Sequence, residues 1–213
     1  MPYTLYGEIG SGSCSVECAL AEIGAEVRLV EIDLGAMAQR GESYLAVNPV
    51  GKVPCLELPE GDRVTESAAI LITLAERHPE ASLLPPVATS DRAEALRWLV
   101  YLVSEIYPLI EISDYPTRFA AEGAPAEALR DRVRELLRTR WQLVEAAITG
   151  RPWLLPAGFS VTDLHIATMS RWSLDKAWRG HALPRVEAIA AAVAERPAAG
   201  PVWRRHFTQR DAA

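Results

Sequence analysis

The chain has 213 residues, 49% hydrophobic and 23% charged, which is enough apolar mass for one large or two small domains with a sizeable core. Its 22 basic and 28 acidic side chains leave a net charge of −6, which argues against non-specific binding to nucleic acid or a membrane surface. Three cysteines make no disulfide framework, and no window reaches the roughly eighteen apolar residues of a bilayer span. No basic segment leads into an apolar one at the start, so a cytoplasmic location is expected.

Tyr3-Thr4-Leu5-Tyr6 reads as a short strand bounded by Gly7, and the segment Gly7–Ser13 is small and flexible. From about Cys14 a helix carries Val16, Ala19, Leu20 and Ile23 on one face and stops at Gly24, a good C-terminal cap. Val27–Ile32 alternates with period two as a second strand, completing a βαβ unit with a parallel pair. Residues 36–47 are weakly helical and interrupted by Gly41.

Pro54-Cys55-Leu56-Glu57-Leu58 is a strand opened by proline, a position where proline is tolerated because it has no N–H to give a ladder. A turn at Pro59-Glu60-Gly61-Asp62 leads to Arg63-Val64-Thr65 and then to a helix over 66–77. One reading makes Val53-Pro54 a cis bond that turns the Val53 backbone outward to pair with a peptide-like ligand. The other is a trans proline in a tight loop, which the rarity of cis bonds, about 5–6% of X-Pro steps, favours on its own; the partner at Glu66-Ser67 and the βαβ–ββα frame around the step make cis the expected form. The order βαβ–ββα predicts an α/β, thioredoxin-like domain with a mixed four-stranded sheet over 1–80.

Residues 81–89, rich in proline and without periodicity, read as a linker to an all-helical domain over 90–213. Helical patterns run over 90–112, broken or kinked at Pro108, and over 126–148. After a proline-rich turn at 152–156, Ser160 and Asp163 form a capping-box pattern, with Phe159 placed to staple against Leu164. A last helix spans about Arg185–Glu195 and ends before Pro197.

With this order in place, Asn-Pro-Val-Gly-Lys-Val-Pro at 48–54, Thr-Glu-Ser-Ala-Ala-Ile at 65–70, Phe-Ser-Val-Thr-Asp-Leu at 159–164 and Glu195-Arg196-Pro197-Ala198 resemble the cytosolic glutathione transferase family. The similarity covers essentially the whole chain. It implies glutathione as co-substrate, no metal, a small hydrophobic electrophile bound against the helical domain, and a homodimer. Members of this fold include non-catalytic and differently catalytic proteins.

A helix that begins at Glu66 offers free N–H groups and a positive dipole end to a carboxylate; Ser67 adds a hydroxyl and Glu66 a partner for an ammonium. Alternatively Thr65 caps that helix and Glu66 only complements the dipole. The resemblance implies that the Val53 backbone beside Pro54 pairs with the cysteinyl unit, and that Lys52 reaches one of the ligand's carboxylates or remains a solvated side chain.

The chemistry needs a thiolate, and each unit of thiol pKa lowering takes about 1.36 kcal/mol of preferential stabilisation. The family places its donor between the first strand and first helix, here Gly10-Ser11-Gly12-Ser13-Cys14-Ser15. Ser11 is the first choice as in serine-type members, and Ser13 the second unless it caps the helix. Cys14 follows as the nucleophile of a thiol–disulfide exchanger, although the cysteine-type position falls on Gly12; Tyr6 comes last. Cys14 and Cys18, four apart on one helix, read as buried thiols, and His165 reads as structural. Tyr107, with Tyr115 and Arg118 following, is the candidate wall of the electrophile pocket, or a core aromatic. Asp163 belongs to folding.

Overall fold

The computed structural model describes residues 1–172 and 174–207. They fall into two compact units, one of Met1–Leu84 with the chain from Val193 onward, the other of Pro85–Ala192.

In the first unit, strands β1 (Tyr3–Gly7), β2 (Val27–Glu31), β3 (Cys55–Glu57) and β4 (Arg63–Thr65) form one sheet in the order β2-β1-β3-β4. β1 runs parallel to β2 and antiparallel to β3, which is antiparallel to β4. Helices α1 (Ser13–Glu22) and α3 (Ser67–Arg77) pack together, and a four-residue α2 (Glu42–Leu45) follows a 3-10 turn at Ala38–Arg40. The mixed four-stranded sheet and βαβ–ββα order read from the sequence are thus present. Leu5, Val16, Leu20, Leu56, Ile70 and Leu74 are buried in the core of this unit.

α1 closes as expected at Gly24: Ala25 N–H reaches Leu20 C=O and Gly24 N–H reaches Ala21 C=O, the paired bonds of a Schellman ending. Its start differs from the capping expectation. Gly12 is the cap residue and already has helical dihedrals, so Ser13 is the first helical residue rather than the N-cap.

The expected last helix is α9 (Pro184–Ala194), and it is followed by another the pattern did not reveal, α10 (Ala199–Phe207). α10 packs on α1 and groups with the first unit, whereas the sequence reading assigns that stretch to the helical domain. Cys18 Sγ–H donates to Ala199 C=O at 3.6 Å, and Glu22 accepts from Arg196 and from Ala199 N–H.

The second unit is mostly helical: α4 (Ser90–Tyr101), α5 (Tyr107–Asp114), α6 (Ala126–Ala147), α7 (Val161–Met169) and α8 (Lys176–Ala182), with α9 beginning in it. Pro108 does not break the first of these runs. A π-helical stretch at Leu102–Ile106 joins α4 to α5 and leaves Pro108 in the first turn of α5, where no backbone N–H is needed. The Ser160–Asp163 capping box forms as expected, while the Phe159 ring meets Trp153 edge-on at 5.0 Å. Leu99, Ile106, Leu137, Trp141 and Leu164 are fully buried in this unit. Among the described residues no helix is long and apolar enough to cross a membrane.

Candidate active site

The sheet register collects the predicted residues. Tyr6 pairs with Cys55 and Cys55 with Thr65, so one step further the same ladder aligns Gly7, Pro54 and Glu66 at one sheet end. With strands about 4.8 Å apart, Gly7 and Glu66 stand about 10 Å apart across Pro54. Three segments remote in sequence share that edge: the loop after β1, the step into β3 and the start of α3.

Val53-Pro54 is cis. The loop before it is pinned at one carbonyl, since Lys52 C=O accepts from Asn48 Nδ2 at 2.7 Å and from Tyr44 Oη at 2.8 Å. Asn48 Oδ1 in turn accepts from Val50 N–H at 3.1 Å. Burial pushes the Tyr44 phenol up to about 12, so it stays a donor at neutral pH. Among the described residues, neither the N–H nor the C=O of Val53 has a hydrogen-bond partner. The Lys52 side chain is exposed. Tyr44 and Asn48 are supports that the sequence reading missed, although Asn48 opens the very motif that carried the resemblance.

At the start of α3 the capping alternative fails. Glu66, not Thr65, is the cap residue, and no side chain caps the helix. The backbone of Glu66 has φ 65° and ψ 111°, a region that costs a non-glycine residue of order 1–3 kcal/mol and persists only where the surroundings impose it. Ser67 is buried, and its hydroxyl has no partner among the described residues. An uncapped helix start beside an unpaired hydroxyl and an exposed carboxylate suits a zwitterionic amino-acid end group.

The two serines form one network. Ser11 Oγ lies 2.9 Å from Ser13 Oγ, and each donates to Glu8 C=O, at 2.7 and 3.0 Å. Glu8 N–H lies 3.3 Å from Ser11 Oγ and 3.2 Å from Ser13 Oγ, and Ser13 N–H donates to Ser11 Oγ at 3.2 Å. Ser13 is only 2% exposed, whereas Ser11 is half-buried. Ser13 nests against Gly7, where a Cβ would stand 2.3 Å from Ser13 Cβ, so only glycine permits that approach. The sequence places both serines as candidates but hides their common anchor, because it is the backbone of Glu8.

Behind this loop lies a cavity of about 210 Å³ lined in part by Ser13, Glu17, Arg205 and His206. It takes in none of Lys52, Val53, Glu66 or Ser67. His206, 1% exposed, accepts from Gly10 N–H through Nδ1 at 3.0 Å and meets Glu17 Oε2 through Nε2 at 2.9 Å. Glu17 also pairs with Arg205. Burial lowers the His206 pKa, while hydrogen bonds to Cys14 and Glu17 raise it further than burial lowers it. The Gly10 N–H pulls the other way, because it needs the lone pair on Nδ1, and the geometry is that of the neutral ring with its proton on Nε2.

Cys14 and Cys18 are reduced, buried thiols with no exposed surface, as the sequence reading expects, and burial pushes the Cys18 thiol well up. A fully buried Cys14 does not favour the exchanger alternative. Tyr6 is half-buried and packs against Tyr44, ring centroids 6.1 Å apart. Among the described residues no group of three or more His, Cys, Asp or Glu side chains is placed to hold a metal.

In the second unit, Tyr107 opens α5 half-buried, with its ring edge-on to Trp172 at 5.5 Å. Arg118 stacks over the Tyr115 ring at 3.9 Å. Asp163 is fully buried and accepts from Leu154 N–H at 2.7 Å and Ser160 N–H at 2.8 Å, so it joins the proline-rich turn to α7 and serves folding.

Residues 1–76 match the family model described as glutathione S-transferase, N-terminal domain. Glutathione S-transferase GstA of Escherichia coli O157:H7 is 32% identical over 189 residues, covering 87% of this chain and 90% of that protein. The uncharacterized GST-like protein YncG of Escherichia coli K12 is 30% identical, covering 95% and 97%. A solved glutathione transferase homologue from Sulfitobacter, with bound glutathione, superposes with a TM-score of 0.85 at 27% identity, covering 94% of this chain and 96% of its own. The chain belongs to the glutathione S-transferase family.

Proposed function

We propose that glutathione lies along the sheet end shared by β1, β3 and β4, with its thiol at Ser11. As a family member the chain is a glutathione transferase with glutathione as co-substrate. The γ-glutamyl carboxylate sits at the start of α3 with Ser67, and Glu66 takes the ammonium. The cysteinyl unit pairs with the Val53 backbone, which Pro54 turns outward, and Lys52 steadies a terminal carboxylate. The observation that carries this reading is the α3 start: uncapped, strained at Glu66 and carrying a Ser67 hydroxyl with no partner among the described residues.

Ser11 is the donor to the sulfur because it is the more accessible of the paired hydroxyls, with Ser13 behind it. One hydrogen bond to a thiolate, near a helix start, supplies about one to two pKa units. The thiol proton leaves to solvent and the sulfur attacks the electrophilic carbon; a C–S bond forms as the bond to a leaving group breaks and that group departs with its electron pair, or, in an addition, as a π pair moves to the neighbouring atom and takes a proton from solvent. The electrophile is a small hydrophobic molecule, with Tyr107 on its pocket wall and the helical domain providing the site. The reaction serves detoxification, with peroxide reduction as a further activity of the same thiolate. The protein acts as a cytoplasmic homodimer. Titration of bound glutathione by thiolate absorbance tests this: a thiol pKa below that of free glutathione supports it, and an unchanged pKa refutes it.

A second reading rests on one observation: both serine hydroxyls already bond the backbone of Glu8. If neither turns to the ligand, the chain binds glutathione without activating it. Retention on glutathione resin with no thiolate signal identifies that case.

A further inference from the structure

The structure assigns His206, near the far end of the chain, as a positioning residue for the thiol-activating loop, an inference that rests on the serine reading above. Ser11 N–H closes a turn onto Glu8 C=O at 3.1 Å, and Gly10 within it has φ 77°, as the third position of a type II turn demands. The Gly10 N–H points away from that turn bond and donates to His206 Nδ1 at 3.0 Å. Gly10, whose N–H makes the bond, is joined through its own carbonyl to Ser11, two residues before the start of α1.

The imidazole is held for this task from several sides. Glu17 on α1 takes Nε2 at 2.9 Å, Arg205 holds Glu17, and the Cys14 thiol faces the ring. Phe207 lies against the ring, with centroids 6.2 Å apart. α10 itself is tied to α1 by Glu22 with Arg196 and Ala199 N–H. Each nitrogen of a neutral imidazole does one job here: Nε2–H donates to a carboxylate while Nδ1 accepts a backbone N–H. With both nitrogens engaged in this way, the ring is not a base for Ser13, although both residues line the same cavity. Its effect on the chemistry passes through Gly10 to the placement of the Ser11 hydroxyl.

Two substitutions separate positioning from general support. In His206→Asn the side-chain oxygen reaches the place of Nδ1 and keeps the acceptor for Gly10 while losing the Glu17 contact. In His206→Gln the amide reaches the place of Nε2 and keeps the Glu17 contact while losing the Gly10 acceptor. The thiol pKa of glutathione bound to each full-length variant is measured by thiolate absorbance, with amide hydrogen exchange at Gly10 as the second readout. His206→Asn should keep the wild-type thiol pKa and Gly10 protection. His206→Gln should raise the thiol pKa by about one unit, a tenfold loss of thiolate at a fixed pH below it, with Gly10 exchange accelerated. Equal behaviour of the two variants, or a larger loss in Asn, overturns the assignment while wild-type thiolate formation keeps the serine reading intact. If the wild type itself fails to lower the thiol pKa, the serine reading falls and this assignment with it. Should the Gln variant not fold, a raised thiol pKa in Asn alone is enough to overturn the assignment, and a retained one supports it.

Discussion

Ser11 Oγ and Ser13 Oγ stand 2.9 Å apart and share one acceptor, the carbonyl of Glu8. A hydroxyl has a single proton, so a thiolate arriving at Ser11 must draw that proton from Glu8 C=O while Ser13 keeps its own bond there. The pair divides the work: one hydroxyl turns to the ligand and the other holds the loop.

Ser11→Ala should therefore raise the bound thiol pKa by about one to two units and lower kcat/KM by about 10- to 100-fold. Ser13→Ala should cost less activity and more stability, because it empties a buried site against Gly7. Thiolate titration and denaturant unfolding of both variants check the division. Equal thiolate levels in wild type and Ser11→Ala exclude Ser11 as the donor.

Gly7→Ala tests the packing that sets the serines. The added methyl would lie 2.3 Å from Ser13 Cβ, closer than any carbon contact allows, so the loop must shift. The expected result is a loss of about 1–3 kcal/mol in stability together with reduced thiolate formation. A variant with wild-type stability and wild-type thiolate formation contradicts this arrangement.

At Glu66, stability and binding should move in opposite directions. Glycine tolerates φ 65° where glutamate is strained, so Glu66→Gly should gain about 1 kcal/mol in stability while raising the Kd for glutathione. Ser67→Ala should raise the Kd about tenfold with little change in kcat. Calorimetric titration with glutathione gives both constants. An unchanged Kd in both variants removes the α3 start from the ligand site.

Two neighbours in α7 give opposed pH dependence. Burial raises the Asp163 pKa from 3.8 to about 6, against the hydrogen bonds it accepts from Leu154 and Ser160. The folded state thus holds that proton more tightly, and the contribution favours folding at low pH and is lost as pH rises through about 6. Burial lowers the His165 pKa from 6.5 to about 4, so its contribution is present above 6.5 and is lost as pH falls through about 4. Each amounts to about 3 kcal/mol at roughly 1.36 kcal/mol per pH unit, and the two largely cancel between about pH 4 and 6. Asp163→Asn removes one side of the balance, so its urea midpoint should fall more steeply with acid than that of the wild type. A flatter acid dependence in the variant contradicts the assignment.

What was legible in the sequence follows the range of the interactions involved. Period-two alternation located β2, short runs bounded by glycine, proline or a turn located the other three strands, and period-3.6 patterns located most long helices, because burial of one face is a local signal. The cis step at Val53-Pro54 needed the company of Glu66-Ser67, since a proline alone points to trans. Pro108 misled as a breaker because a π-helical stretch absorbs it. α10 stayed hidden because it is short, carries Gly200 and Pro201 in its first turn and packs on α1; the Glu17–His206 contact spans 189 residues, and no local pattern encodes it. Tyr44 and Asn48 escaped notice for a related reason: they act on a backbone carbonyl, which the sequence does not distinguish.

The most direct test is a crystal structure of the protein with glutathione bound. The account predicts the sulfur within hydrogen-bond distance of Ser11 Oγ, the cysteinyl backbone paired with Val53, and the γ-glutamyl carboxylate at the N–H groups of α3 beside Ser67. A sulfur nearest Tyr6, Tyr107 or Cys14, with Ser11 still bonded only to Glu8, would contradict it.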